Sequence, residues 1–209
     1  MPQMDFFYFF GSCYAYLSVM RIDKLAAEAG VEVRWRPFSV RDLMTEKGYS
    51  LKSQTTKMIY IFRDVERRAW LHIIPFEKPP IWPTDPDQLA NRVGIVAFDQ
   101  GWGREYTLTS FKKWFEGQAL GAADSLRTII SSHGKDPDEV ISLANSSETR
   151  AQYDRETDAA RQLGVFGSPT FAVGQEIFWG DDRLEEALAW AKGEHPALTA
   201  ASRPESLQA

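Results

Sequence analysis

Apolar and polar positions near the N-terminus predict two strands that flank a helix. Residues 6–10 are all aromatic, and a short apolar run of this kind is typical of a buried strand. Gly11 and Ser12 interrupt the run; apolar side chains then recur at helical spacing over residues 14–29, and Gly30 predicts the helix end. Residues 31–38 alternate apolar and polar side chains, which predicts a second strand. One helix and short connections make this a β-α-β unit with parallel strands.

The long central segment has a helical pattern over most of its length. Apolar positions predict helices over residues 57–71, 87–99, 103–118, 122–134, 137–144 and 147–163. Residues 76–86 are rich in proline, which predicts an irregular loop there.

Strand character returns near the C-terminus. Residues 168–173 and 176–179 are joined at Gly174 and Gln175, which predicts a hairpin, and a last helix follows over 183–192. The element order β-α-β, helices, β-β-α indicates an α/β, thioredoxin-like fold with a large inserted all-helical domain. We predict a discontinuous thioredoxin-like domain (1–44 and 164–195), an inserted helical domain (45–163) and a flexible tail (196–209).

Composition narrows the function classes. The chain has 209 residues, is 44% hydrophobic and carries a net charge of −5 without a basic block, so we expect a folded protein without a nucleic-acid partner. No apolar stretch is long enough to span a membrane, and the first apolar run breaks too early for a signal peptide. We therefore expect no membrane partner and a cytoplasmic location. With one cysteine and no metal-ligand spacing among its histidines, the chain is expected to hold no metal.

Ser12 lies where the first predicted strand meets the first helix. Its hydroxyl can cap the helix, which is the common role of serine at this position, or it can help to hold an anion such as a thiolate. In a thioredoxin-like fold the redox pair Cys-X-X-Cys begins here. This chain has Ser12-Cys13-Tyr14-Ala15 instead. Because dithiol–disulfide exchange needs two sulfurs, the intramolecular reaction is excluded.

Ser168-Pro169 begins the predicted third strand. In this fold a cis-proline commonly begins the strand that faces the active site, and an ordinary trans proline is the alternative. Cis bonds are only about 5–6% of X–Pro bonds, so they usually have a specific role. A cis bond here would turn the backbone N–H and C=O of Ser168 toward the site, where they can pair with an extended peptide such as glutathione.

Two stretches far apart in the chain carry a family signature. Residues 6–17, FFYFFGSCYAYL, match a family start that is roughly Phe-Tyr-Phe-Asp-Phe-x-Ser-Pro-Tyr-(Ser/Ala)-Tyr-Leu. Residues 165–171 and 179–184 match Val-Phe-Gly-x-Pro-Thr-Phe and Trp-Gly-x-Asp-Arg-Leu. On these motifs the chain, up to about Lys192, resembles the 2-hydroxychromene-2-carboxylate isomerases and the kappa-class glutathione transferases, relatives of the DsbA proteins.

This resemblance implies glutathione as the cofactor. Ser12 would be the catalytic residue, contacting the glutathione sulfur, because a hydroxyl hydrogen bond and a helix start favour the thiolate. The backbone of Ser168 would hold the cysteinyl part. The γ-glutamyl end would be bound by Trp179, Gly180, Asp181 and Asp182. For the two aspartates, N-capping is the simple structural alternative.

The resemblance also implies a function and an assembly. The favoured function is isomerisation of an unsaturated, ring-opened aromatic acid: the bound thiolate adds to the conjugated system, the former double bond rotates, and elimination returns glutathione. One alternative is a kappa-type transferase or peroxidase that uses the same site. Another is a non-catalytic, DsbA-like peptide-binding protein. The expected partners are glutathione, a small organic acid and a second copy in a homodimer.

The chain departs from the family pattern at positions that bear on chemistry. Cys13 stands where the family has proline, either as a small buried filler or as a reactive thiol that forms a mixed disulfide with glutathione. Met44 stands at the position of the family's lysine, and Gly48-Tyr49 replaces an asparagine loop. The candidates for pairing with a substrate carboxylate are Arg36, Arg41 and Lys47, and Trp82 is a candidate pocket wall.

Overall fold

A mixed four-stranded sheet forms the centre of the described molecule. The computed structural model describes residues 1–49, 55–77, 85, 87–115, 117 and 123–199. The strands are β1 (Gln3–Tyr8), β2 (Glu32–Pro37), β3 (Thr170–Val173) and β4 (Glu176–Trp179). Their order is β2-β1-β3-β4, with β1 parallel to β2 and β3 antiparallel to both neighbours. The predicted parallel β-α-β unit and the predicted C-terminal hairpin are confirmed.

Helices cover the sheet and form most of the rest of the described chain. Those between β1 and β2 are α1 (Cys13–Val19) and α2 (Ile22–Ala29). Those between β2 and β3 are α3 (Val40–Glu46), α4 (Thr55–Leu71), α5 (Leu89–Asp99), α6 (Gly103–Phe115), α7 (Ala123–Ser132), α8 (Pro137–Asn145) and α9 (Ser147–Gln162). After β4, a 3₁₀ turn (Asp181–Arg183) leads into α10 (Leu184–Ala191), and α11 (Pro196–Thr199) follows. None of these helices is long and apolar enough to cross a bilayer.

The aromatic run of β1 is buried on both faces of the sheet. Phe6 and Tyr8 belong to a core that includes residues of the inserted helices. Phe7 points the other way and packs in a second core with Phe38. A strand that is covered on both faces needs no polar alternation, which explains why the run is continuous. Phe6 also stacks on Phe171 of β3, with ring centroids 5.3 Å apart.

The end of β1 lies earlier than the sequence pattern predicts. The strand runs from Gln3 to Tyr8, so Phe9 and Phe10 belong to the turn that follows. The N–H of Ser12 donates to the Phe9 carbonyl at 2.9 Å and closes this turn. The aromatic run therefore continues through the turn because both of its last side chains are buried.

The helix predicted over residues 14–29 is two helices, α1 and α2. The chain leaves helical geometry at Arg21, which has φ −121°, and the Arg21 side chain donates to the Leu17 carbonyl at 3.2 Å. Gly30 ends α2 in the left-handed conformation, as predicted. Helix α3 was not predicted, because only Val40 and Leu43 of its seven residues are buried, and two positions are too few to define a helical period.

Helix α9 joins the helical segment to the second face of the sheet. Its Thr157 hydroxyl accepts the Ser39 N–H at 2.9 Å, and its Glu156 pairs with Arg36 of β2 at 2.6 Å. Ala160 packs in the same core as Phe7. The domain boundaries themselves stay a prediction. The predicted tail begins with α11, and residues 200–209 lie outside the described residues.

Candidate active site

Ser12 caps α1 and contacts the loop before β3. Its Oγ accepts a hydrogen bond from the Ala15 N–H at 3.2 Å, which is the capping role that the sequence allowed. The same hydroxyl donates to the Ser168 carbonyl at 2.7 Å. A hydroxyl carries one hydrogen, so this bond uses its donor. Another acceptor at this position, such as a thiolate, has to replace the Ser168 carbonyl.

The loop before β3, which contains Ser168 and Pro169, is held in place by hydrogen bonds to the turn after β1 and to the residue after β4. The Ser168-Pro169 bond is cis, as predicted. The Ser168 Oγ accepts the Phe9 N–H at 3.0 Å, and the Pro169 carbonyl accepts the Gly180 N–H at 3.0 Å. Within the described residues the Ser168 N–H has no hydrogen-bond partner. The main chain of Ser168 therefore offers a donor to a bound peptide, while its carbonyl is already paired.

A cavity of about 640 Å³ opens beside Ser12, which is within the usual range for small-molecule sites. Its walls are mostly apolar and include Phe9, Val40, Met44, Met58 and Ile61. Three cations also line it, namely Arg41, Lys47 and Lys57. None of its described lining residues is an aspartate or a glutamate. An apolar lining with cations suits an anion that has an apolar skeleton.

A second cavity, of about 230 Å³, adjoins the first and differs from it in charge. The two cavities share Tyr14, Ser168 and Trp179. The other lining residues of the smaller cavity are Asp64, Arg68, Gly180, Asp181 and Asp182. The structure thus brings together the six residues that the sequence predicted for catalysis and glutathione binding: Ser12 at the larger cavity, and Ser168, Trp179, Gly180, Asp181 and Asp182 at the smaller one.

Asp181 is buried in the wall of the smaller cavity and already has cationic partners. The residue is only 1% exposed, and its Oδ2 lies 2.7 Å from the Arg68 guanidinium and 3.9 Å from that of Arg21. Burial raises the pKa of Asp181, and the hydrogen bond from Arg68 opposes this shift. In this structure the Asp181 carboxylate forms an internal ion pair with Arg68. Its contact with glutathione stays a prediction, and a ligand ammonium would have to compete with Arg68 for this carboxylate.

Trp179, Gly180 and Asp182 lie at the mouth of the smaller cavity. Trp179 is 54% exposed, and its ring packs against the Phe166 ring with centroids 4.9 Å apart. Gly180 has φ 114°, a conformation that favours glycine, and a Cβ there would lie 2.5 Å from Asp182 Oδ1. Asp182 pairs with its neighbour Arg183 at 2.9 Å. Such an exposed ion pair contributes little, so the Asp182 carboxylate can exchange partners with a ligand.

Two site residues that the sequence analysis did not single out are Tyr14 and Asp64. The Tyr14 hydroxyl donates to Asp64 at 2.8 Å, and Arg67 pairs with the same carboxylate at 2.8 Å. Burial acts to raise the pKa of Asp64, but the hydrogen bonds from Arg67 and Tyr14 outweigh it, so the pKa is lowered. On α4, Asp64 shares a face with Lys57, Ile61 and Arg68, which also line the cavities. That spacing is visible in the sequence, but the sequence does not show that this face covers the site.

The basic residues considered for a substrate carboxylate have different roles. Arg41 and Lys47 line the larger cavity, whereas Arg36 does not. Arg36 pairs with Asp5 at 3.0 Å and with Glu156 at 2.6 Å, which is a structural role. Trp82, the candidate pocket wall, lies outside the described residues.

Arg41 is the most enclosed cation of the larger cavity. Its guanidinium lies 4.9 Å from the centroid of the Phe9 ring and donates to the Asp85 carbonyl at 2.6 Å. Burial lowers the pKa of Arg41, and the charge of Asp85 opposes that shift. Lys47 and Lys57 are exposed by comparison. Arg41 is therefore the cation that the protein holds most firmly at the cavity wall.

Cys13 lies beside the larger cavity but has little contact with solvent. The residue is 3% exposed, and burial raises the pKa of its thiol to about 12. At neutral pH such a thiol stays protonated and is a poor nucleophile. The structure therefore favours the buried filler over the reactive thiol.

Comparison with known proteins identifies the family. The family model for DsbA-like thioredoxin domains matches residues 3–189. The chain belongs to the family of DsbA-like thioredoxin domains. Its sheet order, its cis-proline before β3 and the helices inserted between β2 and β3 agree with this membership and with the predicted fold class.

Within this family the chain is similar to proteins named 2-hydroxychromene-2-carboxylate isomerase. The 2-hydroxychromene-2-carboxylate isomerase of Pseudomonas putida is 29% identical over 187 residues, covering 87% of this chain and 90% of the relative. The protein of that name from Sphingobium xenophagum is 25% identical over 186 residues, covering 87% and 94%. A solved structure of 2-hydroxychromene-2-carboxylate isomerase has a TM-score of 0.80 and 26% identity, over 92% of this chain and 97% of that one.

Proposed function

We propose that this chain is a glutathione-dependent isomerase acting on an unsaturated, aromatic-derived acid of the 2-hydroxychromene-2-carboxylate type. The observation that carries the proposal is the pair of adjoining cavities, which differ in charge and share Tyr14, Ser168 and Trp179. The relatives named for this isomerase support the choice of reaction. The predicted cytoplasmic location suits the proposal, because glutathione keeps thiols reduced there.

The side chains of the smaller cavity suit the γ-glutamyl end of glutathione. That end carries an ammonium and a carboxylate. Asp182 and Asp64 offer carboxylates for the ammonium, and Arg68 offers a cation for the carboxylate. The half-exposed Trp179 ring would cover the chain between these charges. Asp181 would act one step further from the ligand, by holding Arg68 in place.

The two serines would divide the work on the cysteinyl part. The Ser168 N–H, which lacks a partner in the described residues, would hold the peptide backbone. Bound glutathione would supply a thiolate that adds to the conjugated system of the substrate and is released again after bond rotation. Ser12 would stabilise the charged sulfur by transferring its hydroxyl hydrogen bond from the Ser168 carbonyl to it. The Ala15 N–H would keep the Ser12 Oγ in position during this exchange.

The physical effect of Ser12 would be on the thiol pKa. A free thiol titrates near 8.5, so only a few per cent is charged at neutral pH. A hydrogen bond to the charged form favours that form and lowers the pKa. No base is needed at Ser12 for this role, because its hydroxyl acts as a donor and not as a nucleophile.

The larger cavity would hold the organic acid. Its apolar side chains suit an unsaturated ring-derived skeleton, and its cations suit a carboxylate. Arg41 is the favoured partner of that carboxylate, because it is enclosed and oriented by Phe9 and the Asp85 carbonyl. An arginine in this role would take the place of the family's lysine, where this chain has Met44.

Incubation with 2-hydroxychromene-2-carboxylate, with and without reduced glutathione, tests the proposal. We expect conversion to an isomer of unchanged mass only when glutathione is present, followed by absorbance and mass spectrometry. Ser12→Ala should lower the rate about a hundredfold, as loss of one charge-stabilising donor does elsewhere. Ser146→Ala is the matched control, because Ser146 caps α9 with a bond of 3.2 Å to the Thr149 N–H and does not line either cavity.

Three results would speak against this function. Conversion without glutathione would remove the cofactor from the proposal. A product that retains glutathione would identify a transferase. Failure of calorimetry to detect glutathione binding, with a correctly folded chain, would favour a non-catalytic binding protein.

A further inference from the structure

Asn91, on α5, holds the turn that carries Ser12. Asn91 is fully buried, and its Oδ1 accepts the Phe10 N–H at 3.1 Å. Phe10 lies two positions before Ser12, in the turn that is closed by the bond from the Ser12 N–H to the Phe9 carbonyl. The Phe9 N–H of the same turn donates to the Ser168 Oγ at 3.0 Å. Two consecutive N–H groups of this turn are therefore fixed by side chains from distant parts of the chain.

The carboxylate of Asp85 orients the Asn91 amide. Asn91 Nδ2 donates to Asp85 Oδ2 at 2.9 Å, and the backbone N–H groups of Ala90 and Asn91 donate to the same carboxylate at 3.1 and 3.4 Å. Asp85 is only 1% exposed. A side-chain amide has one accepting end and one donating end. Because the donating end is bound to Asp85, the accepting Oδ1 faces the Phe10 N–H.

The main chain of the same Asp85 holds Arg41. The Asp85 carbonyl accepts hydrogen bonds from the Arg41 guanidinium at 2.6 Å and from the Gln88 N–H at 3.0 Å. Asp85 has φ 53°, a left-handed conformation that residues other than glycine seldom adopt, and the bonds of its carboxylate and carbonyl together keep it there. Asp85 thus connects Arg41 to Asn91 and, through Asn91, to the turn of Ser12.

Neither Asp85 nor Asn91 is among the described residues that line the two cavities. Their contacts lead to both sides of the reaction instead: to Ser12, the partner of the thiolate, and to Arg41, the favoured partner of the substrate carboxylate. We propose that Asp85 and Asn91 are positioning residues that fix Ser12 and Arg41 relative to each other. Their effect on catalysis rests on the proposed function, whereas the placement of the two side chains does not.

This placement matters for an addition step between two bound molecules. The reacting atoms have to lie about 3–3.5 Å apart before the bond forms, and a misplacement of about 1 Å lowers the rate about a hundredfold. Ser12 would place the thiolate and Arg41 would place the acid, so the separation of the reacting atoms depends on how these two side chains are held. The chain of hydrogen bonds through Phe10, Asn91 and Asp85 holds both.

Exchange of the two functional groups tests the pair. Asn91→Asp makes two carboxylates face each other, and Asp85→Asn makes an amide N–H group face a backbone donor. Each single variant should lower kcat about a hundredfold, while KM changes less than about threefold because each ligand keeps its own partner. In the double variant the new amide can donate to the new carboxylate, which still accepts the Phe10 N–H, so kcat should recover to within about tenfold of the wild type. Losses that simply add in the double variant would overturn the proposal.

Two controls separate this effect from a loss of stability. Asn145→Asp makes the same substitution at an exposed asparagine of α8, and Leu126→Ala creates a cavity in the buried face of α7. Neither residue lines a cavity of the site, so both variants should keep kcat within about twofold of the wild type while circular dichroism shows them folded. If the exchange variants are unfolded, Asn91→Ser takes their place, since its shorter side chain cannot reach both partners. It should lower kcat at least about tenfold, and an unchanged kcat would overturn the proposal.

Heteronuclear NMR of isotope-labelled protein tests the placement without turnover. The signals of the Ser12 amide and of the Arg41 Nε–H should both shift in Asn91→Asp and return towards their wild-type positions in the double variant. If either signal is unchanged in folded Asn91→Asp, the positioning role is wrong, whether the protein is active or not. The expected shifts in a protein without glutathione-dependent isomerisation would support the placement and contradict the proposed function.

Discussion

The hydroxyl of Ser12 donates to the carbonyl of Ser168 at 2.7 Å, and this bond joins the start of α1 to the loop before β3. The same Ser12 Oγ accepts the Ala15 N–H. The one hydrogen of the Ser12 hydroxyl is therefore engaged in this structure. Any molecule that takes the Ser12 hydrogen competes with the Ser168 carbonyl, so the structural and the proposed catalytic roles of Ser12 use the same atom.

Ser12→Ala should cost more stability than the loss of a helix cap alone. An N-cap serine contributes about 1 kcal/mol, and an unpaired Ser168 carbonyl adds about 1 kcal/mol. Ser146→Ala removes a cap and the hydrogen bond between the Ser146 and Thr149 hydroxyls at 3.2 Å, but leaves no carbonyl unpaired, and should cost about 1 kcal/mol. Urea unfolding of the three proteins measures the difference. Equal losses for both variants would mean that water replaces Ser12 at the Ser168 carbonyl without cost.

The thiol of Cys13 should be inert in the folded protein. Its pKa rises from 9.0 to about 12 on burial, so at pH 8 the native thiolate fraction should be roughly a thousandfold lower than in the unfolded chain. Iodoacetamide should therefore alkylate the native protein at least that much more slowly than the protein in urea. A mass adduct on Cys13 after treatment of the native protein with oxidised glutathione would contradict this expectation.

The same burial makes a prediction for stability at alkaline pH. The folded chain holds the Cys13 proton more tightly than the unfolded chain does. Its contribution to stability is therefore complete below pH 9 and is lost as the pH rises towards 12. Cys13→Ala removes this titration. The difference between wild type and variant in the free energy of unfolding should therefore fall across that pH range, as measured by urea unfolding.

The sequence predicted the strands and most helices because each has a clear period or a clear end. The aromatic run of β1, the glycine after α2 and the hairpin at Gly174 are local signals. The break between α1 and α2 was not predictable, since it depends on Arg21, whose guanidinium donates to the distant Asp181 carbonyl at 2.9 Å. Helix α3 escaped prediction because two buried residues do not define a period.

From the sequence, residues of the candidate site were predictable only where they belong to a family motif. Ser12, Ser168 and the segment from Trp179 to Asp182 belong to the family signature and line the two cavities. Asp64 and Lys57 belong to no quoted motif, and only the packing of α4 against α1 brings them to the site. The ion pair between Asp181 and Arg68 also depends on that packing. The motifs therefore identified residues that line the two cavities, and tertiary contacts determined which of their polar groups are already paired.

The neighbouring Asp181 and Asp182 should respond differently to the same substitution. Asp181→Asn leaves Arg68 without its buried counter-charge, whereas Arg21 keeps its ion pair with Glu185 at 2.5 Å. Loss of one partner costs about 3–5 kcal/mol for a fully buried pair and less here, because Arg68 is partly exposed. Asp182→Asn should change stability by less than about 0.5 kcal/mol, because its ion pair is exposed. Urea unfolding measures both.

Glutathione binding should show the complementary pattern for Asp182. Asp182→Asn should weaken binding about tenfold, which is about 1.4 kcal/mol, because a ligand ammonium loses its carboxylate. Glu185→Gln is the control, since this exposed carboxylate pairs with Arg21 and lines neither cavity. Isothermal titration calorimetry provides the measurement. If Asp182→Asn binds glutathione as the wild type does, Asp64 and not Asp182 holds the ammonium.

Arg41→Met should raise KM for an anionic substrate more than it changes kcat. A carboxylate that pairs with Arg41 does so both before and during the reaction, so losing the pair removes uniform binding. We expect KM to rise about tenfold, because an enclosed charge pair is worth more than an exposed one. Lys47→Met should raise KM less than threefold, because Lys47 is solvent-exposed.

Arg41→Met also removes the hydrogen bond to the Asp85 carbonyl, so thermal unfolding has to show that the variant is folded at the assay temperature. Steady-state kinetics with the acid and with its methyl ester then separates charge recognition from packing: the ester should be converted equally well by wild type and Arg41→Met. An Arg41→Met enzyme that loses activity equally on acid and ester would show that Arg41 supports the cavity wall and does not recognise the carboxylate.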